Sequence, residues 1–215
     1  MRSHTLVLLS LSTALAACGA ADAQVRGNGS ARTEARAPGD FAAIAVGGAI
    51  TVDISVGAST SVTVSADANV LPLIRTEVKG GRLIVEPTQR YRSDVPVRVA
   101  ITTPTLTGLS ISGASVGTVA GVDGGRLAAD VSGASELTLR GALAQLTVDA
   151  SGASQIHGRA LTATNATVGA SGASQVEVTV KRALTAAASG ASQIDYWGGA
   201  AVTKVTSGAS QVRKR

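Results

Sequence analysis

The four-residue phrase Ser-Gly-Ala-Ser occurs six times, beginning at Ser112, Ser132, Ser151, Ser171, Ser189 and Ser207. Successive copies are separated by 20, 19, 20, 18 and 18 residues. A unit this short has no room for a core of its own. Each copy must bury its apolar face against its neighbours, and that is the condition for a solenoid. Composition then selects the kind of solenoid. Gly is frequent, aromatics are limited to Phe41, Tyr91, Tyr196 and Trp197, and Ala, Val, Thr and Ser dominate. That mixture suits tightly wound strands with sharp corners, not helices striped with Leu.

Aligning the copies on the first Ser of the phrase exposes the columns. One residue earlier stand Ile111, Val131, Ala150, Ala170, Ala188 and Thr206; three earlier stand Leu109, Ala129, Val148, Val168, Ala186 and Lys204. After the phrase, Leu137, Ile156, Val176, Ile194 and Val212 form another apolar column. Alternation on both sides of a corner predicts at least two short strands per coil, with equivalent residues stacked about 4.8 Å apart. The expected fold is all-β: a right-handed parallel β-helix with coils of about 18–20 residues, the hand following from strand twist. Its corners are the pairs Gly113-Ala114, Gly133-Ala134, Gly152-Ala153, Gly172-Ala173, Gly190-Ala191 and Gly208-Ala209. Gly supplies the positive φ of a sharp bend, Ala is expected to fill its narrow inside, and the flanking Ser hydroxyls satisfy corner backbone groups.

Residues 1–17 read as a signal peptide, with Arg2 ahead of a short apolar run that ends in Leu15-Ala16-Ala17-Cys18-Gly19. This ending resembles a bacterial lipobox, which makes Cys18 the lipidated first residue of an outer-membrane lipoprotein. The rival is cleavage after Ala21-Asp22-Ala23, giving a soluble periplasmic or secreted protein that starts at Gln24. With one cysteine in the chain, no disulfide framework can form. Residues 18–39, rich in Gly, Ala, Arg and Ser without apolar periodicity, read as a flexible tether. The β-helical domain is expected over 40–215. It opens with a less regular N-terminal cap section whose strands alternate through Ile50, Val52 and Ile54, then Val62 and Val64, and later Val97, Val99 and Ile101.

Several stretches occur in an order similar to that of a known family. They are Phe41, Ile44 and Val46; Val70-Leu71-Pro72-Leu73-Ile74; Gly81-Arg82-Leu83-Ile84-Val85; and Thr102-Thr103-Pro104-Thr105-Leu106 leading into the first phrase. Together they resemble the autotransporter adhesin head family, also called the GIN domain, over about residues 40 to 215. The resemblance implies a β-helical domain on exported bacterial proteins, often lipoproteins, and carries over no catalytic positions. The chain departs from a true autotransporter in ending at Arg215 without a barrel-sized segment.

Two outward columns stand out. Thr147, Thr167, Thr185 and Thr203 form a threonine ladder, and Gln155, Gln175, Gln193 and Gln211 form a glutamine ladder preceded by Glu136. β-propensity on an exposed strand accounts for the first and amide stacking for the second. Asp130 and Asp149 share one column in adjacent coils. They are a weak candidate pair for a hard cation or for glycan hydrolysis, set against two solvated acids. No metal site and no cofactor is assigned. His157 is the only histidine after the leader and reads as a surface residue, while Tyr196 and Trp197 read as cover for the end of the stack. The formal charge is +5, with Arg213-Lys214-Arg215 at the C-terminus supplying much of the excess, so no nucleic-acid-binding face is expected. The expected role is a non-enzymatic envelope module that meets the membrane through its lipid and an envelope protein or glycan through its surface. A carbohydrate-active β-helix enzyme and a periplasmic ligand-binding domain are the alternatives. An open end of the stack also leaves a homodimer available.

Overall fold

The structure, a computed structural model, describes residues 24–215. Cys18 and the leader lie outside the described residues. From Ala43 onward the alternating apolar positions form parallel strands that pass from coil to coil in register. One wall carries the column Leu83, Ile44, Leu109, Ala129, Val148, Val168, Ala186 and Lys204. The other carries Val99, Val52, Gly117, Leu137, Ile156, Val176, Ile194 and Val212. Their inward side chains meet in one continuous core in which Leu127, Leu137, Leu139 and Leu146 are fully buried. The product is an all-β parallel solenoid of about five turns.

Spatial order and chain order part company at the N-terminal end. The coil that bears the first phrase, Gly108–Ile111 and Val116–Asp123, stacks on Ala43–Val46 and Thr51–Val56. Those strands stack in turn on Arg82–Pro87 and Arg98–Thr103. The chain therefore lays down its second rung first, runs outward to build the end, and returns to add every later coil on the other side. Antiparallel strands close that end. Ser61–Asp67 pairs with Arg98–Thr103, and Ile74–Lys79 pairs with Arg82–Pro87.

The expectation of a flexible tether over 18–39 is corrected for its described part. Ala31–Arg36 is a strand paired antiparallel with Ser61–Asp67, and Val25–Arg26 pairs with Tyr91–Arg92. Ala31–Arg36 lies on the outermost edge and is exposed on both faces, so it has no reason to alternate. Backbone pairing, together with Thr33 to Ser65 at 2.6 Å, holds it in place without an apolar stripe. Its Arg and Glu residues suit an edge that must not pair with another chain.

Each corner glycine has φ between 71° and 82° from Gly113 to Gly208, and each stacks on the glycine of the coil below. The amide after it bonds to that glycine's carbonyl: Ala134 to Gly113 and Ala153 to Gly133 at 2.8 Å, Ala173 to Gly152 at 2.7 Å. The expectation that Ala fills the inside of the bend is corrected. Ala114, Ala134, Ala153, Ala173, Ala191 and Ala209 all face solvent, and the buried residue is the second Ser of the phrase in the first five copies, with Ser210 of the last copy half-buried. A small side chain with its own donor suits that inner position, because the turn leaves carbonyls pointing inward. Ser115, Ser154, Ser174, Ser192 and Ser210 donate to them, while Ser135 Oγ is buried without a partner among the described residues. Ser174 Oγ donates toward Ser171 and Ala150 carbonyls at 2.9 and 3.4 Å; Ser192 Oγ donates toward those of Ser189 and Ala170 at 2.8 and 3.0 Å. Ala153→Leu, now on an open surface, is expected to change stability by less than about 0.5 kcal/mol. A urea titration showing a loss of several times that would return Ala153 to the interior.

Candidate functional site

The outward residues of one wall shape a furrow. Thr147, Thr167, Thr185 and Thr203 stack in register along it. Two residues further on runs the column Asp130, Asp149, Gly169, Ala187 and Val205. Side chains in this column shrink from carboxylate to hydrogen and grow again to Val205, which is 68 % exposed. Beyond it lie the first Ser residues of successive phrases. The resulting cavity of about 350 Å³ has Asp130 and Asp149 at one end and Val205 at the other. A second cavity of about 250 Å³ continues from the same two aspartates toward Arg82. Asp149 leans over Gly169: a Cβ at that glycine would stand 2.6 Å from Asp149 Oδ1.

Parallel pairing puts Asp130 and Asp149 on adjacent rungs, about 4.8 Å apart along the axis. They offer hydrogen-bond acceptors and negative charge to a partner lying along the furrow. Among the described residues no group of three His, Cys, Asp or Glu converges to hold a metal ion.

The glutamine ladder lies on the other wall, where Glu136, Gln155, Gln175, Gln193 and Gln211 stack in register. Beside it runs Thr138, His157, Glu177, Asp195 and Arg213. His157 lies at the surface as expected, its side chain 42 % exposed, but it has acidic partners on both sides. Its Nε2 lies 3.4 Å from Glu136 Oε1 and its Nδ1 lies 3.5 Å from Glu177 Oε2, so it bridges two coils. The signal was the 20-residue spacing of His157 and Glu177, which stacking turns into contact. Asp195, 8 % exposed, accepts from Gln193 Nε2 at 2.8 Å and pairs with Arg215 at 3.1 Å. Histidine and acid pair thus occupy different walls and share no substrate position.

Tyr196 packs against the end of the core as expected, with Lys214 beside it in register. Trp197 does not join it there: the Arg159 guanidinium lies 5.1 Å from its ring centroid. Strand alternation separates the two neighbours, turning one aromatic toward the core and the next outward.

Residues 40–200 match the family described as "Putative auto-transporter adhesin, head GIN domain". The chain belongs to the GIN domain family. Solved structures share the fold of this GIN domain. A "putative adhesin" from Bacteroides fragilis NCTC 9343 superposes with a TM-score of 0.70 at 17% identity, covering 89% of this chain and 100% of its own. A second, from Parabacteroides merdae ATCC 43184, gives a TM-score of 0.56 at 18% identity over 89% of this chain and 99% of its own. A "Putative lipid binding protein" from Parabacteroides distasonis ATCC 8503 gives 0.51 at 16% identity over 90% and 100%. No curated protein matches the chain. At these identities the likeness is one of fold.

Proposed function

We propose that this GIN domain is a non-enzymatic contact module of the bacterial cell envelope. In this reading lipid on Cys18 holds it to the outer membrane, and an extended envelope protein or glycan lies along the furrow between Asp130 and Val205. The observation that carries the reading is the furrow itself: two cavities joined at Asp130 and Asp149, open along their length and running with the solenoid axis. An open trough favours a partner laid along it over a small substrate enclosed for reaction. The family's adhesin description and the separation of His157 from the aspartates support the same reading.

Charge reversal of both aspartates, Asp130→Lys with Asp149→Lys, is expected to weaken adherence of expressing cells by about tenfold or more. Cys18→Ser is expected to release the protein from membranes. The reading is overturned if the purified protein cleaves an envelope polysaccharide and Asp130→Asn or Asp149→Asn abolishes that cleavage.

A further inference from the structure

The corner opposite the Ser-Gly-Ala-Ser turns carries a second surface. Counting eight residues from the first Ser of each phrase gives Arg140, Arg159, Thr179, Trp197 and Arg215 on five successive coils. The structure brings them to one corner, although not in strict register: residues 159–161 bulge out between the pairs Gly158 with Val178 and Thr162 with Thr179. Arg140 lies opposite the Gly158–Ala160 bulge, where two residues of one coil face three of the next. Thr179 Oγ1 donates to the Arg159 carbonyl at 2.9 Å, Thr179 is in register with Trp197, and the Arg215 amide bonds to Tyr196 O at 2.9 Å. Thr179 is short, which lets the Arg159 guanidinium reach across its rung to the Trp197 ring. Lys181 and Arg182 turn the same corner two and three residues after Thr179, and the residue over Lys181 in the next coil is the side-chain-free Gly199.

Arg140, Arg159, Lys181 and Arg182 are exposed, and among the described residues none has a carboxylate partner. Glu136 and Glu177 are engaged with His157 and Asp149 lies in the furrow, while Asp195 pairs with Arg215 and neutralises that end of the row. Among the described residues Asp123, in register with Ala142, is the one acidic side chain at this corner and sits at its N-terminal end. The excess charge assigned from sequence to the C-terminal tail therefore extends as a line along the solenoid.

We propose that this basic corner binds a linear anionic glycan, a polysaccharide carrying carboxylates at intervals along its chain. Arg140 and Arg159 stand on adjacent coils, whose spacing is about 4.8 Å, and Lys181 and Arg182 follow on the next coil a few residues along, so the cations are spread for a chain and not gathered for a single ion. Its contact with Trp197 holds the Arg159 guanidinium in place at the surface, where its planar fork can take a carboxylate in two hydrogen bonds. A nucleic acid is the poorer match, since sequence-tolerant binding of single strands needs successive aromatic platforms and this row has one. The proposal goes beyond the furrow reading and uses none of its residues.

The test is titration of the full chain in detergent with polygalacturonate oligomers, using neutral dextran and single-stranded DNA of equal charge as comparisons. Polygalacturonate is expected to bind and dextran not, with affinity falling steeply as salt rises. Arg140→Glu with Arg159→Glu is expected to weaken binding about twentyfold or more, while Arg32→Glu with Lys79→Glu, the same charge change at the far end, leaves it within about twofold. Trp197→Leu is expected to weaken it less than the double reversal. Equal losses from both pairs, tighter binding to DNA, or no binding of polygalacturonate overturns the proposal. None of these results touches the furrow, whose variants and cell adherence assay stand apart.

Discussion

Gly133→Val is expected to destabilise the domain by about 3–5 kcal/mol, seen as a fall of at least about 1 M in the urea midpoint. Two independent causes act together. The backbone at Gly133 has φ of 76°, a region that β-branched residues avoid. A Cβ there would stand 2.4 Å from the Gly113 carbonyl oxygen and 3.1 Å from its amide nitrogen. Neither can yield cheaply, because the Gly113 carbonyl accepts from Ala134 N and the Gly133 carbonyl from Ala153 N. Relieving the clash opens the stack on both sides. An unchanged midpoint would mean that the corner can turn with another backbone conformation.

Leu146→Ala is expected to cost about 2–5 kcal/mol. Leu146 is fully buried, with Leu127 below it and Ala166 above it in register. Ala166 already leaves that column one large side chain short, so the new void has only Leu127 and the facing wall to fill it. Since a solenoid coheres through neighbouring coils, weakening one interior rung is also expected to broaden the transition. The check is denaturation followed by circular dichroism and by Trp197 fluorescence, with the two curves separating in the variant. Coincident curves and a loss under about 1 kcal/mol would show that neighbouring coils collapse into the space.

The repeated coils were legible because each inward residue recurs at the same offset from the phrase. Val148, Val168 and Ala186 align without any knowledge of the structure. The corner was misread at one point: Ala153 and Ser154 are both small, and strand alternation does not run through a turn to say which faces in. Hydrogen bonding decides it, and the inward carbonyls are visible only once the coil is built. Residues 31–36 were unreadable for another reason. A strand exposed on both faces is specified by backbone pairing with Ser61–Asp67, which leaves no mark in its side chains.

The candidate sites divide along the same line. The Asp130 and Asp149 column follows directly from the coil length. The bridge from His157 to Glu136 and Glu177 follows from that length too, once side chains are allowed to reach one rung up and one rung down. The row of Arg140, Arg159 and Trp197 was available at a constant offset but mixes residue types. It becomes one surface only through the shortness of Thr179.

The repeated amide-to-carbonyl link at the corners has a consequence for how such chains change length over generations. Ser151 N bonds to Val131 O and Ser171 N to Ala150 O, both at 2.9 Å, so the two junctions are interchangeable. Excising residues 151–170 would join Ala150 to Ser171 and leave the corner links with equivalent partners, the bulges at the opposite corner absorbing the difference in coil length. A deletion of residues 151–170 is therefore expected to give a shorter protein that still folds cooperatively, reduced in length by about 4.8 Å, as circular dichroism and urea denaturation would check. Selection on reach can act through copy number while each corner stays as it is.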